Sequence, residues 1–299
     1  MSRRDHYQDI TDRMLAALEG AETEGWQKPW VSRGVGIAPR NAFTGRPYRG
    51  VNQLLLLLDP RNAADPRWAT YRAAQKAGYQ VRRGEKSTPV YLMKQVKVEE
   101  TDDDGRKVEK VVPLLRTFNV FHASQFDLEP PPQPEPVEGG WEPLEAAERA
   151  MKDLGADIRY GGDRAFYVPR EDRIQLPLRE DFPTAAGFYG TAFHELGHWT
   201  KGEGRVPRRD GVGGGGFGSD SYAREEIRVE FASAFVLGAL GLAGDPQLSC
   251  NHTAYIRDWM QVLKEDRYEA RRAATDAQAI ADYLLPAAGE GDDDSGDPL

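Results

Sequence analysis

The sequence predicts an α+β chain of two domains, and three observations carry that prediction: a proline-rich stretch near the middle, a reversal of charge across it, and a different order of elements on either side. The stretch from Glu129 to Glu138 reads Glu-Pro-Pro-Pro-Gln-Pro-Glu-Pro-Val-Glu. It can form neither a helix nor a central strand, so it predicts an extended, semi-rigid spacer. Residues 1–128 hold 21 Lys+Arg against 16 Asp+Glu, net +5, whereas the rest holds 18 against 32, net −14. The predicted organisation is a basic α+β domain over 1–127, a linker over 128–140, a second domain over 141–288 and an acidic tail over 289–299. The tail is mostly Gly, Asp, Ser and Pro and carries nothing to pack.

The elements follow in order. Tyr7, Ile10, Met14, Ala17 and Leu18 share one helical face and predict a helix over 5–24, stopped by Gly25. Asp65 as a cap, Pro66 in a first turn and Gly78 after the end predict a second helix, with Trp68, Tyr71 and Ala74 on its inner side. Pro89 to Val98 and Lys107 to Phe121 are rich in Val, Leu, Tyr and Phe, and Asp102-Asp103-Asp104-Gly105 between them predicts a hairpin. Beyond the spacer, Trp141 to Leu154 predicts a helix closed by Gly155. Ala165 to Leu176 predicts a strand pair turning at Arg170 to Arg173. Thr184 to Trp199 and Tyr222 to Leu242 predict two long helices separated by a glycine-rich loop, Gly213 to Gly216 and Gly218.

Several classes are excluded. Cys250 is the only cysteine, which removes intrachain disulfides and cysteine-based zinc fingers. The longest apolar-leaning run, Phe231 to Gly244, has 14 residues, short of the roughly 18 that a membrane span needs. Met-Ser-Arg-Arg-Asp leads into a charged amphipathic stretch with no signal-peptide core, so a cytoplasmic location and no membrane partner are expected.

His194-Glu195-Leu196-Gly197-His198 places two histidines at i and i+4 of a predicted helix. Both imidazoles can then reach one tetrahedral cation, while Glu195 faces a metal-bound water as the base. One helix face cannot supply a third tetrahedral position, and no histidine stands in Lys201 to Arg205. A carboxylate from a second helix is expected. Glu226 is assigned as that ligand and Glu230 as the acceptor for a histidine's other N–H, with the two roles open to exchange. Glu225 is placed beside Arg228 on a more polar side. The donors suit Zn²⁺, with Mn²⁺, Co²⁺ or Ni²⁺ able to take the same site.

Between Lys28 and Val98 there are 14 basic residues against Asp59, Asp65 and Glu85 alone. Trp26, Trp30, Tyr48, Trp68, Tyr71, Tyr79 and Tyr91 interleave with them, which is the pairing of cations and stacking platforms that holds single-stranded nucleic acid. The loop Arg46 to Asn52 combines Arg46, Arg49, an exposed Tyr48 and Asn52. Trp68 and Tyr71 are expected in the core. The alternative is that the basic surface pairs with the chain's own acidic half.

Phe193-His194-Glu195-Leu196-Gly197-His198-Trp199-Thr200 followed by Tyr222-Ala223-Arg224-Glu225-Glu226 resembles the zincin-type metallopeptidase domain of plasmid antirestriction proteins of the ArdC family. Pro39-Arg40-Asn41, Gly45 to Asn52, Trp68 to Tyr71, Val81-Arg82-Arg83-Gly84-Glu85-Lys86 and Phe118 to Phe121 are similar to that family's single-stranded-DNA-binding domain. The resemblance implies a protein of a mobile element that shields incoming DNA from host restriction, with a host restriction-modification protein as a target. It places Arg40, Arg46, Tyr48, Arg49, Asn52, Arg82, Arg83 and Lys86 on the DNA. The rival is a non-catalytic DNA-coating protein whose metal is structural. Either way the spacer and charge contrast lead to the expectation that the halves fold separately, with a fragment ending near Asp127 folding alone.

Overall fold

The computed structural model describes residues 5–23, 38–101, 107–129, 144–216, 218–242 and 253–286. The first helix, α1 (His6–Thr23), begins where the Asp5 carboxylate accepts the N–H groups of Tyr7 and Gln8 at 3.1 and 3.2 Å. Ile10, Met14 and Leu18 form its fully buried face. A four-stranded sheet follows, built from β1 (Arg40–Asn41), β2 (Arg67–Thr70), β3 (Thr88–Thr101) and β4 (Lys107–His122) in the order β1-β2-β4-β3. The expected hairpin is present as β3 and β4, antiparallel from Thr88↔Val120 to Thr101↔Lys107. Its turn lies outside the described residues, as do Trp26 and Trp30, most of the proline-rich spacer and the acidic tail.

Two helices flank this sheet, α2 (Gly50–Leu57) and the short α3 (Tyr71–Lys76). The helix expected from Asp65 starts later. Asp65 instead accepts the Arg67 N–H and pairs with its guanidinium at 2.8 Å, which holds Arg67 to Thr70 extended. Trp68 then pairs with His122 across β2 and β4, buries completely and donates its Nε1–H to Asn62 at 3.1 Å. Thr70 is the real cap, accepting the Ala73 N–H at 3.2 Å. Tyr71, expected inside, is 42% exposed. Tyr48, expected on the surface, is 8% exposed and packs with Leu56, Trp68, Val90 and Val120. The chain doubles back there through Tyr48 N–H to Pro39 O at 2.8 Å, which turns the ring inward. Burial pushes its hydroxyl pKa well above the ordinary tyrosine value.

The second half comprises α4 (Glu145–Asp153), a three-stranded sheet of β5 (Asp157–Tyr160), β6 (Phe166–Val168) and β7 (Arg173–Leu176) in the order β5-β7-β6, then α5 (Ala185–Trp199), α6 (Asp220–Ala239), α7 (Thr253–Glu265) and α8 (Glu269–Leu284). The expected strand pair is β6 and β7; the parallel β5 and the helices α7 and α8 add to the sequence reading. Gly197 sits where a Cβ would lie 3.0 Å from Val229, so glycine lets α5 and α6 touch along their backbones. The α8 face of Ala270, Ala273, Ala274, Ala277 and Ala281, with Ile280 and Leu284, offers little bulk, and α1, α2, α5 and α6 all pack onto it. No helix among the described residues is long and apolar enough to cross a membrane.

The two halves are distinct in their elements, yet they share one core. Ile10, Met14, Leu18, Leu54 and Leu55 belong to the same buried cluster as Phe193, Ile227, Trp259, Ala277 and Ile280. From this shared cluster we infer that the halves fold together rather than as separate pieces. The reason is that α1 packs against α7 and α8, and α2 lies between α8 and its own sheet, where Leu56 meets Val90.

Two outcomes follow from this architecture. Each of those five side chains is worth roughly 1.5–3 kcal/mol when buried, a sum comparable with the whole stability of a domain. A fragment ending at Asp127 is expected to melt without cooperativity and to bind hydrophobic dyes, and a melt as sharp as that of the full chain would contradict the shared core. The second concerns His122, which donates from Nε2 to the Asp65 carbonyl at 2.7 Å and accepts the Ser124 N–H at Nδ1 at 3.2 Å. A second proton would oppose that N–H, and burial already holds the pKa below the ordinary 6.5. Its contribution to stability is complete above about pH 6.5 and is lost as pH falls through the depressed value. Imidazole NMR titration of His122 is expected to give a midpoint below 6.5; a midpoint above it would contradict the buried neutral ring.

Candidate metal centre

Thr184 caps α5 by accepting the Gly187 N–H at 3.0 Å. Phe188, Ala192, Phe193 and Leu196 then anchor the helix in the core, so His194 and His198, one turn apart, emerge together toward α6. Their rings lie 4.9 Å apart, edge to face. Ser219 caps α6, whose buried residues occupy nearly every side. Three of its acids are among them: Glu225, Glu226 and Glu230 are 1%, 3% and 3% exposed.

Glu226 lies between the two histidines. Its Oε2 is 3.5 Å from His194 Nε2 and its Oε1 is 3.3 Å from His198 Nε2. The far nitrogens face other carboxylates, His194 Nδ1 at 3.4 Å from Glu230 and His198 Nδ1 at 3.4 Å from Glu225. The ligand atoms that His194, His198 and Glu226 offer all lie within 4.8 Å of one another. Donors bonded at about 2.05 Å to a tetrahedral cation stand roughly 3.3 Å apart, which the two Nε2 to carboxylate separations approach. The residues present fit a divalent cation.

Charge makes the same point. Glu195, Glu225, Glu226 and Glu230 gather here, and Arg208 supplies one fixed positive charge through Nε to Glu225 at 2.7 Å. Burial drives both imidazoles toward neutrality, but the carboxylates outweigh it: Glu226 and Glu230 lift the His194 pKa to about 10, and Glu225 and Glu226 raise that of His198. Against its own burial, Glu225 is held down at about 2 by His198 and Arg208. The two histidines hold Glu226 well below the carboxylate range. The cluster wants more positive charge than its side chains carry, and either protons on the imidazoles or a cation between them can provide it.

The structure brings His194, His198, Glu195, Glu226 and Glu230 together. Glu225 is a correction, because it is buried and faces His198 and Arg208. Arg208 was invisible in the sequence. It stands in the loop after α5, where Nη2 donates to Gly197 O and Thr200 Oγ1 at 2.8 and 3.0 Å, tying the end of the histidine helix to Glu225. The only local hint was that Glu225, Glu226 and Glu230 lead into the apolar run of α6, where a buried acid needs a partner.

The expected DNA-binding residues divide. Tyr48 is buried, and the Asn52 side chain is committed to both backbone groups of Tyr91 at 2.7 Å. Arg82 pairs with Glu85 at 2.8 Å and with Asp127. Arg49 pairs with Asp282 of α8 at 2.5 Å, so basic and acidic halves do meet at this point. Arg46, Arg83 and Lys86 are exposed and form no ion pair with another described residue, and Arg40 is half-buried on β1.

Residues 4–121 match the family described as the N-terminal domain of anti-restriction factor ArdC, and residues 145–276 match the zincin-like metallopeptidase family. The chain is 41% identical over 299 residues to a protein of Escherichia coli named DNA primase TraC, covering 95% of this chain and 27% of that protein. A second TraC is 39% identical and is covered over 20% of its length, so the chain spans 27% and 20% of these two relatives. Uncharacterized protein y4eC of Sinorhizobium fredii is 34% identical over 287 residues, covering 94% of this chain and 91% of that one. The metal-free structure of antirestriction protein ArdC from plasmid R388 is similar with a TM-score of 0.74 and 33% identity, covering 94% of this chain and 97% of that one. The Mn(II)-bound form of that protein gives 0.71 and 32% over the same shares. With both halves matched, and an ArdC structure a third identical along nearly its whole length, the chain belongs to the ArdC family of antirestriction proteins.

Proposed function

We propose that this protein binds single-stranded DNA through its basic half and carries a metal-dependent peptidase-type site in its C-terminal half, protecting incoming plasmid DNA from host restriction in the cytoplasm. The observation that carries the catalytic part is the convergence of His194 Nε2, His198 Nε2 and Glu226, with Glu195 on the same helix. In this reading the three hold one divalent cation, Zn²⁺ first, with Mn²⁺, Co²⁺ and Ni²⁺ suited to the same donors. The Mn(II)-bound relative supports a divalent metal. Glu230 and Glu225 accept from the Nδ1–H of His194 and His198, which leaves each Nε2 lone pair free for the cation. A cation held there polarises a carbonyl and acidifies a water. The Glu195 carboxylate takes the proton from the attacking water and returns it to the leaving nitrogen. The substrate in this reading is a host restriction-modification protein.

A second reading is favoured by the shared core. Since α5 and α6 both anchor it, a cation between them would also clamp the fold, as expected of a DNA-coating protein without turnover. Arg46, Arg83 and Lys86, free of ion pairs with described residues, and the less exposed Arg40 supply the phosphate contacts in either case. Tyr48 and Asn52 hold the fold beneath them.

Elemental analysis is expected to give one metal per chain, lost in Glu226→Gln and kept in Glu195→Ala. In an assay of restriction of incoming DNA, Glu195→Ala is expected to abolish protection; full protection by this metal-loaded variant would establish the coating reading instead. By fluorescence anisotropy, affinity for a single strand is expected to exceed that for duplex and to fall steeply with salt. Salt-insensitive or duplex-preferring binding would remove the single-strand assignment.

A further inference from the structure

A cleft of about 370 Å³ opens where the start of α2 meets α8, lined from one side by Arg49 and Val51 and from the other by Arg271, Gln278 and Asp282, with Leu115 of β4 in its floor. We infer that this cleft holds one nucleotide of a bound single strand, its phosphate between Arg49 and Arg271, so that the strand crosses the junction between the halves. The inference rests on the single-strand reading above and adds to it a binding residue from the acidic half.

Three features point to a nucleotide. The volume is at the small end of ligand sites, where an apolar floor and a few polar groups at the rim set orientation. The apolar lining of Val51 and Leu115 suits the faces of a base or sugar, while two guanidiniums, that of Arg271 also lying 5.8 Å from the Tyr7 ring, suit a phosphate better than ammonium groups would. The third is the arrangement of Asp282. Its Oδ2 receives the Arg49 guanidinium at 2.5 Å and its Oδ1 receives the Gln278 amide at 3.0 Å, while Gln278 Oε1 accepts the Gly50 N–H at 2.8 Å. A carboxylate thus occupies the place on Arg49 that a phosphate would take. The pair is half exposed, 54% and 47% for the two side chains, and such pairs are weak. A strand that brings several phosphates at once can displace Asp282 from Arg49, and Asp282 then limits the affinity of the free protein for DNA.

The test uses the full chain and a fluorescent twelve-residue oligothymidylate, titrated at several salt concentrations. Arg271→Gln and Arg49→Gln are each expected to weaken binding roughly tenfold, as for loss of one charge-assisted contact, and to reduce the salt slope by about 1. Asp282→Asn is expected to tighten binding at low salt, a gain that misfolding cannot produce. Unchanged affinity in Arg271→Gln and Asp282→Asn, beside clear binding by the wild type, overturns the cleft and leaves the single-strand reading intact. No binding by the wild type takes down both. Thymidine 5′-monophosphate separates the two sources of this chemistry: competition as strong as that of the oligonucleotide would assign the cleft to a free nucleotide and overturn its place on a strand.

Discussion

Every charge buried on α6 must meet an opposite charge from another element, and that requirement organises the molecule. Glu225 is met by Arg208 from the loop after α5, Glu226 by both histidines of α5, and Arg228 by Glu269 and Asp276 of α8 at 2.7 and 2.9 Å. Removing one member of such a buried pair costs about 3–5 kcal/mol, because the other is left uncompensated. Buried pairs add little net stability over apolar packing, but they fix which elements face each other. Here they set the rotation of α6 so that Glu226, rather than Glu225 or Glu230, points between the two imidazoles. The metal centre and the helical core are therefore two consequences of one pattern of charge on one helix.

What could be read from the sequence was local. The i, i+4 histidines, the Val-, Leu-, Tyr- and Phe-rich runs of β3 and β4 and the apolar stripe of α1 can each be read within one element, and the structure contains the three elements. Trp68 shows where local signals mislead. Asp65-Pro66 looks like a helix start, but the Asp65 carboxylate is engaged by Arg67 and the strand pairing to His122 decides the conformation. Tyr48 was misplaced because its burial depends on Leu56, Val90 and Val120, which no short window contains. The α8 helix left a faint trace since alanine contributes small apolar area per position, and Arg and Asp residues interrupt the stripe. Glu225 needed Arg208, 17 residues away across an irregular loop, to explain its burial.

The Ala-rich face of α8 also explains how a basic half and an acidic half come to share one core. Small residues let four helices approach α8 closely, and the N-terminal helices use it as their floor. Charge contrast and a proline-rich spacer mark two modules in the sequence, yet neither says where the apolar faces are buried. A spacer can join pieces that pack together as readily as pieces that stay apart.

The position of α8 in the chain has a kinetic consequence. The Thr11 hydroxyl of α1 donates to the Arg267 carbonyl, a contact 256 residues apart in sequence. At a synthesis rate of about 5–20 residues per second, α1 waits on the order of 10–50 s before its packing partner is made. During that interval Ile10, Met14 and Leu18 lack the α7 and α8 surfaces that α1 packs on in the finished fold. Contacts of such long sequence separation slow folding and expose apolar faces to wrong partners. Because α1, α2, α5 and α6 all pack on α8, neither half can finish burying its apolar faces before α8 has been synthesised.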